Sequence, residues 1–191
     1  MTGHYLIFGP PAAGKGTQAA SFKEHLGVPH ISTGDMFRAH LKGDTAIGLQ
    51  VKDILAAGQL VPDTVTNAMV AERLAEADTA DGALLDGFPR NVLQASWLDG
   101  YLAGRGTKLA GVVVLRVPED ELKERLISRA EKENRTDDAD PEVVQRRLDT
   151  YREQSEPCIA YYLDQALVPV HEVDGVGSIE EVRERIQAAV R

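Results

Sequence analysis

The stretch Gly9-Pro10-Pro11-Ala12-Ala13-Gly14-Lys15-Gly16-Thr17 constrains this chain more than any other. It follows a short apolar run, His4 to Gly9, and opens a helical pattern from about Gly14 to Leu26. A turn of Gly, Pro and Ala between strand and helix lets an anion approach bare backbone N–H groups. The helix N-terminus adds partial positive charge, and Lys15 can reach the outer phosphates of a nucleotide. The plainer alternative is a Gly/Pro-rich turn that happens to carry a lysine, and the flanking strand and helix count against it. Residues Ala12 to Thr17 are therefore expected to form a phosphate loop. Two details are unusual. The general motif places Ser or Thr directly after the lysine, whereas Gly16 intervenes here before Thr17, so a magnesium ion needs another holder. Ala12 stands where glycine is more usual, and alanine disfavours positive φ. The loop must hold Ala12 at negative φ or carry strain.

Beyond the loop, strand and helix patterns alternate. Val28–Ile31, Ala83–Asp86, Gly111–Val117 and Val168–Val173 read as strands. Helical patterns cover Thr33–Leu41, Ala46–Ala57, Asp63–Ala77, Val92–Leu102, Glu119–Glu131, Pro141–Leu167 and Ile179–Val190. Such alternation predicts an α/β sandwich whose five-stranded parallel sheet is flanked by helices. The run Val112–Leu115 is apolar throughout, as a strand buried on both faces requires. With 191 residues there is room for one domain with small inserts. The expected core is 1–31, 62–128 and 140–191, with inserts at 32–61 and 129–139.

In parallel sheets of this kind ligands bind at the carboxyl ends of strands, and the remaining motifs fall there. In Ile31-Ser32-Thr33-Gly34-Asp35-Met36-Phe37-Arg38, Ser32 or Thr33 caps a helix, with Asp35 in its first turn. Gly58-Gln59-Leu60-Val61-Pro62-Asp63 is a helix stop followed by a helix start. Asp86-Gly87-Phe88-Pro89-Arg90 follows a strand, and an aspartate there, beside a phosphate loop, is placed to hold magnesium through water. Gln94 lies one helical turn beyond Arg90.

Net charge is −9, which disfavours nucleic acid or an anionic membrane as partner. Arginine is nevertheless concentrated, with Arg125, Arg129, Arg135, Arg146, Arg147 and Arg152 in one region. Arginine suits bidentate contact with phosphate, so a small phosphorylated ligand fits best. Solvated helix faces laced with ion pairs are the plainer alternative. The only cysteine is Cys158, which excludes an intrachain disulfide and a cysteine-cluster zinc site. No apolar run approaches the roughly 20 residues of a membrane span. The N-terminus has neither basic leader nor cleavage site, so a cytoplasmic chain is expected.

Taken in order, these segments resemble the nucleoside monophosphate kinases. The loop is similar to the family's GPPGAGKGTQ, in which Gly before Thr is a shared trait and Ala12 a departure. Ile31–Arg38, Gly58–Asp63 and Asp86–Arg90 resemble ISTGDMLR, GxLVPD and DGFPR. The likeness extends from Tyr5 to the last helix, in the expected order. It implies ATP on Ala12, Ala13, Gly14, Lys15, Gly16, Thr17, Arg125, Arg129 and Gly177. It implies AMP on Thr33, Arg38, Gln59, Leu60, Val61, Gly87, Phe88, Pro89, Arg90, Gln94, Arg135 and Arg147. Lys15, Arg90, Arg125, Arg129, Arg135, Arg147 and Asp86 would carry catalysis, with Mg2+ held through water by Asp86 and also by Asp35. The stretch from Asp138 to Arg147 is one residue longer than usual, so Arg146 competes with Arg147 for its role. Thr33 and Gln94 match adenylate kinases, where UMP/CMP kinases commonly carry Ala or Ser and Asn. A glutamine pairs well with a purine amino edge. The segment 129–139 resembles the short-lid form, without zinc. Implied partners are ATP, AMP and ADP, with a monomer as the family default. The competing readings are a UMP/CMP or broad-specificity kinase, a non-catalytic nucleotide sensor and a hydrolytic ATPase.

Overall fold

The computed structural model describes residues 3–133, 140–166 and 168–190, with the side chains of all but 129–133. Five strands form one sheet: β1 (His4–Phe8), β2 (His30–Ser32), β3 (Leu84–Asp86), β4 (Leu109–Arg116) and β5 (Val170–Asp174). Their order is β2-β3-β1-β4-β5, and every neighbouring pair is parallel. The carboxyl ends of all five strands, and the loops that follow them, therefore lie at one end of the sheet.

Alternation along the strands decides which helix packs where. Leu6 and Phe8 of β1, with Leu85, Val112 and Val114, face one side. There they meet α4 (Asp63–Leu74) through Val70 and Leu74, and α5 (Val92–Gly104) through Ala95, Leu98 and Leu102. Tyr5 and Ile7, with Leu84, Val113 and Leu115, face the other. Phe22 and Leu26 of α1 (Lys15–Leu26) cover them, with Val182 and Ile186 of α9 (Ile179–Ala189). β1, β3 and the centre of β4 are thus buried on both faces, as the unbroken apolar runs predict. Each fully buried Leu or Phe contributes about 1.5–3 kcal/mol.

Two helices stand apart. Phe37 of α2 (Thr33–Lys42) and Val51 of α3 (Ala46–Ala56) form a separate small core with Val61 and with Met69 of α4. Ser32, not Thr33, caps α2, its hydroxyl accepting the Asp35 N–H at 3.3 Å. α6 covers Glu119–Glu133.

The single helix expected over 141–167 is corrected. α7 (Pro141–Thr150) passes into a π-helical turn, Tyr151–Ser155, and then into α8 (Glu156–Gln165). Pro157 is the cause: it has no N–H, and its ring would strike the preceding turn. The wider turn closes instead through the Glu156 N–H on the Tyr151 carbonyl. Ala166, at φ 48°, ends α8 in the left-handed region. Val182 and Ile186 are buried as the periodicity of 179–190 requires, but Ile179 is exposed in the first turn.

Cys158 lies in the core beside α5, fully buried. Burial pushes its thiol up to about 12, and an inert thiol follows. In native protein at pH 8, a thiol reagent should label Cys158 no faster than α8 opens, and within the mixing time once urea has unfolded the chain. Rapid labelling of native protein would mean that α8 is not docked as described.

Candidate active site

At the carboxyl end of β1 the chain turns through Gly9–Gly14 into α1. Gly14 occupies the N-cap position at φ 91°, where a side chain would be strained. α1 has no side-chain cap among the described residues, so the first N–H groups of the helix keep their capacity for an anion. Several other helices have a side-chain cap, α3 from Thr45, α5 from Asn91 and α9 from Ser178. Lys15 arches over the loop, its Nζ donating to the Gly9 carbonyl at 2.7 Å and the Pro10 carbonyl at 2.9 Å. Ala12 has φ 63°. Of the two outcomes open in the sequence, the strained one is realised.

At the end of β3, Asp86 is buried to 7% exposure, facing the loop. A Cβ on Gly16 would lie 3.9 Å from its Oδ2. His30 Nε2 approaches the same oxygen at 3.5 Å. Gly87 follows at φ 76°, and its carbonyl accepts from Thr33 Oγ1 at 2.9 Å and Arg90 Nε at 2.8 Å. A Cβ at Gly87 would meet Thr33 Oγ1 at 2.9 Å, so no other residue fits there without displacing its neighbours. Gln94 is buried, its Oε1 accepting the Arg90 N–H at 2.8 Å and its Nε2 donating to Asp63 Oδ1 at 2.7 Å.

These segments line one cleft of about 1610 Å³, against roughly 300–1,000 Å³ for a pocket holding one small ligand. Its lining includes Ala12 to Thr17 and Gly177, and also Gln59 to Val61, Thr33 and Gln94. Arg38, Arg90, Arg125 and Arg147 border it. Burial lowers the Arg90 pKa most; Arg147 and Arg38 lower it further, against a pull from Asp86. A cluster of guanidiniums around a buried arginine is a site built for anionic charge. Arg125 lies beside the loop, 4.0 Å from where a Gly14 Cβ would be, and donates to Glu121 and, at 3.0 Å, to the Gly175 carbonyl.

The expected residues are not all equivalent. Arg146 donates to the Ala57 carbonyl at 2.8 Å and does not line the cleft, while its neighbour Arg147 does. Phe88 turns its ring into the core against Trp97, 5.9 Å between centroids, and does not line the cleft. Asp35 pairs with Arg38; burial works upward on its carboxyl, but hydrogen bonds from Arg38 and Ser32 hold it below the usual carboxylate range. The side chain of Arg129 and all of Arg135 lie outside the described residues, as does most of 129–139.

Two residues escaped the sequence reading. His30 precedes a recognised segment and carries no spacing signal of its own. Asp63 reads as a helix start, and only the folded chain brings it to Gln94.

A family model for adenylate kinase matches residues 7–167. The chain belongs to the adenylate kinase family. It is 50% identical to the adenylate kinase of Kocuria rhizophila, over 97% of each chain. It is 46% identical to that of Pseudarthrobacter chlorophenolicus, over 97% of this chain and 95% of the other. Identity to the Xylella fastidiosa enzyme is 45%, over 97% of each.

Among the described residues no group of three or more His, Cys, Asp or Glu could hold a metal ion. The hard carboxylate of Asp86 beside the loop fits magnesium, which keeps several waters and shares one or two carboxylates with substrate phosphates.

Ala12 provides a test of loop strain. An L-residue in the left-handed region costs about 1–2 kcal/mol, and glycine returns about 0.4–1 kcal/mol through the unfolded chain. Ala12→Gly should raise stability by about 0.5–1 kcal/mol in urea melts. A loss of stability would contradict the positive φ.

Proposed function

We propose that the cleft works as the family's does: the chain reversibly transfers the γ-phosphoryl group of ATP to AMP, giving two ADP. The observation that supports this most is that one cleft is lined both by the phosphate loop and by an arginine-bordered group around Thr33, Arg38, Arg90 and Gln94. A hydrolase needs only the first.

Phosphoryl transfer asks a protein for positioning and charge neutralisation. Lys15, the amides of Ala12 to Thr17 and Arg125 would hold the ATP phosphates, with Gly177 at the base. Thr33, Gln94 and the Gln59–Val61 backbone would face adenine of AMP. Arg38 and Arg90 would present the AMP phosphate in line, beside Gly87 and Pro89. Arg147 would spread over the transferring group, with Arg129 and Arg135 assigned there by resemblance. Asp86 would hold Mg2+ through water; Asp35, already paired with Arg38, is the weaker candidate. When bound, the ion would supply neutralisation of phosphate charge.

Residues 32–61 form the proposed acceptor insert, 129–139 the proposed short lid and the remainder the core. Closure over both nucleotides would exclude water from the transfer. The whole cleft is lined by one chain, which supports a monomer as the working unit. Among the described residues no helix is long and apolar enough to cross a membrane, and a cytoplasmic location is part of the proposal.

Initial velocities with MgATP and AMP, CMP, UMP, GMP or no acceptor test the reading. AMP should be fastest by far. Preference for a pyrimidine would move the assignment to a UMP/CMP kinase, and turnover without acceptor to a hydrolase. Lys15→Met should lose at least about 100-fold in kcat, a few kcal/mol of lost transition-state stabilisation, with an unchanged circular dichroism spectrum. Near-normal turnover in that variant would exclude the mechanism.

A further inference from the structure

The Gln94 amide is gripped at both ends. Asp63, the first residue of α4, accepts through Oδ1 from Gln94 Nε2 at 2.7 Å and from Asn91 Nδ2 at 2.9 Å. The other end, Oε1, accepts the Arg90 backbone N–H at 2.8 Å. Asn91 is itself fixed, because its Oδ1 accepts the Gln94 N–H at 2.8 Å. A carboxylate only accepts and a backbone N–H only donates. Turning the Gln94 amide over would set oxygen against oxygen and N–H against N–H. At a residue 2% exposed, water is not there to satisfy the groups left behind, and the reversed orientation is strongly disfavoured.

A side-chain amide has two N–H donors and two lone pairs. One of each is used by the protein, which leaves one donor and one acceptor in fixed places where Gln94 borders the cleft. Thr33 is restricted in a similar way. Its hydroxyl donates to the Gly87 carbonyl at 2.9 Å, so lone pairs are what it offers. Acceptors on Thr33 and Gln94 beside a single donor match a base edge with an exocyclic amine next to a bare ring nitrogen. A 6-oxopurine presents the opposite pattern, a carbonyl next to a ring N–H. A free amide could turn over to meet it; this one is held.

We propose that Asp63 is a specificity-determining positioning residue, which fixes the Gln94 amide and thereby makes the acceptor pocket reject 6-oxopurine monophosphates in favour of a 6-aminopurine. The inference rests on the reading that Gln94 faces the acceptor base. Asp63 need not touch the nucleotide. It acts through Gln94, and its contribution lies in discrimination between acceptors.

AMP and IMP differ only at that edge of the base, so the ratio of their kcat/KM values reads the effect directly. Equilibrium binding of AMP and IMP gives the corresponding ratio without turnover. In Asp63→Asn the new amide can donate or accept, so the hold on the Nε2 end of Gln94 is relaxed and only the Arg90 N–H still orients the amide. The IMP-to-AMP ratio should rise about tenfold, mainly through KM, as expected when a polar site no longer rejects the wrong partner. Asp63→Ala should move it in the same direction and covers a poorly folded Asn variant. A ratio unchanged in both variants, whatever the absolute rates, overturns the proposal and leaves Asp63 a purely structural residue. Gln94→Leu tests the reading beneath: the preference for AMP should collapse. If it persists there, Gln94 does not read the base, and the acceptor assignment fails separately from the role of Asp63.

Discussion

Everything at this site depends on a helix whose first N–H groups have no side-chain cap. A capped α1 would be a better helix and a poorer phosphate site, because a capping hydroxyl or carboxylate would occupy donors that an anion needs. The loop before it is correspondingly tight. Gly14 and Ala12 both take positive φ, and Lys15 folds back onto the carbonyls of Gly9 and Pro10. That local cost is offset by the sheet, since β1 is buried along its full length and holds the loop's origin in place.

The parallel sheet turns one such loop into a cleft. Because all five strands run the same way, Asp86 at the end of β3, Ser32 at the end of β2 and Gly175 after β5 arrive beside the loop from distant parts of the chain. Gly87 then links two of these segments: one carbonyl accepts from both Thr33 and Arg90. Asp63 adds a second link, joining the start of α4 to Gln94 and Asn91 of the neighbouring segment. Positive charge accumulates where these meet. Burial lowers the basicity of Arg90 most, and Arg147 and Arg38 come close enough to lower it further. That arrangement is unfavourable in isolation and suited to a multiply charged ligand.

Much of this was legible in the sequence because it is local. The loop, the helix caps and the DGFPR segment are contiguous, and their chemistry follows from residue type and neighbours. Strands were legible through apolar runs too short for helices. The break after Thr150 was missed because periodicity continues through it, and Pro157 reads equally well as a first-turn proline or as a helix breaker. Arg146 and Arg147 could not be separated by spacing, because the helix turns about 100° per residue and the packing of α7 against Ala57 decides which one faces inward. Phe88 belongs to a motif whose other members line the cleft, and its ring faces the core because Trp97 offers it a partner.

The sequence by itself determined the α/β class, the phosphate loop and the adenylate kinase family. It did so because each depends on residues adjacent in the chain, where backbone geometry alone fixes the outcome. The tertiary structure decided the sign of φ at Ala12, the choice of Arg147 over Arg146 at the cleft, the nearness of His30 to Asp86 and the grip of Asp63 on Gln94. Those are contacts between side chains far apart in sequence, or conformations imposed on a residue against its own preference. Neither exists until the sheet has brought the segments together.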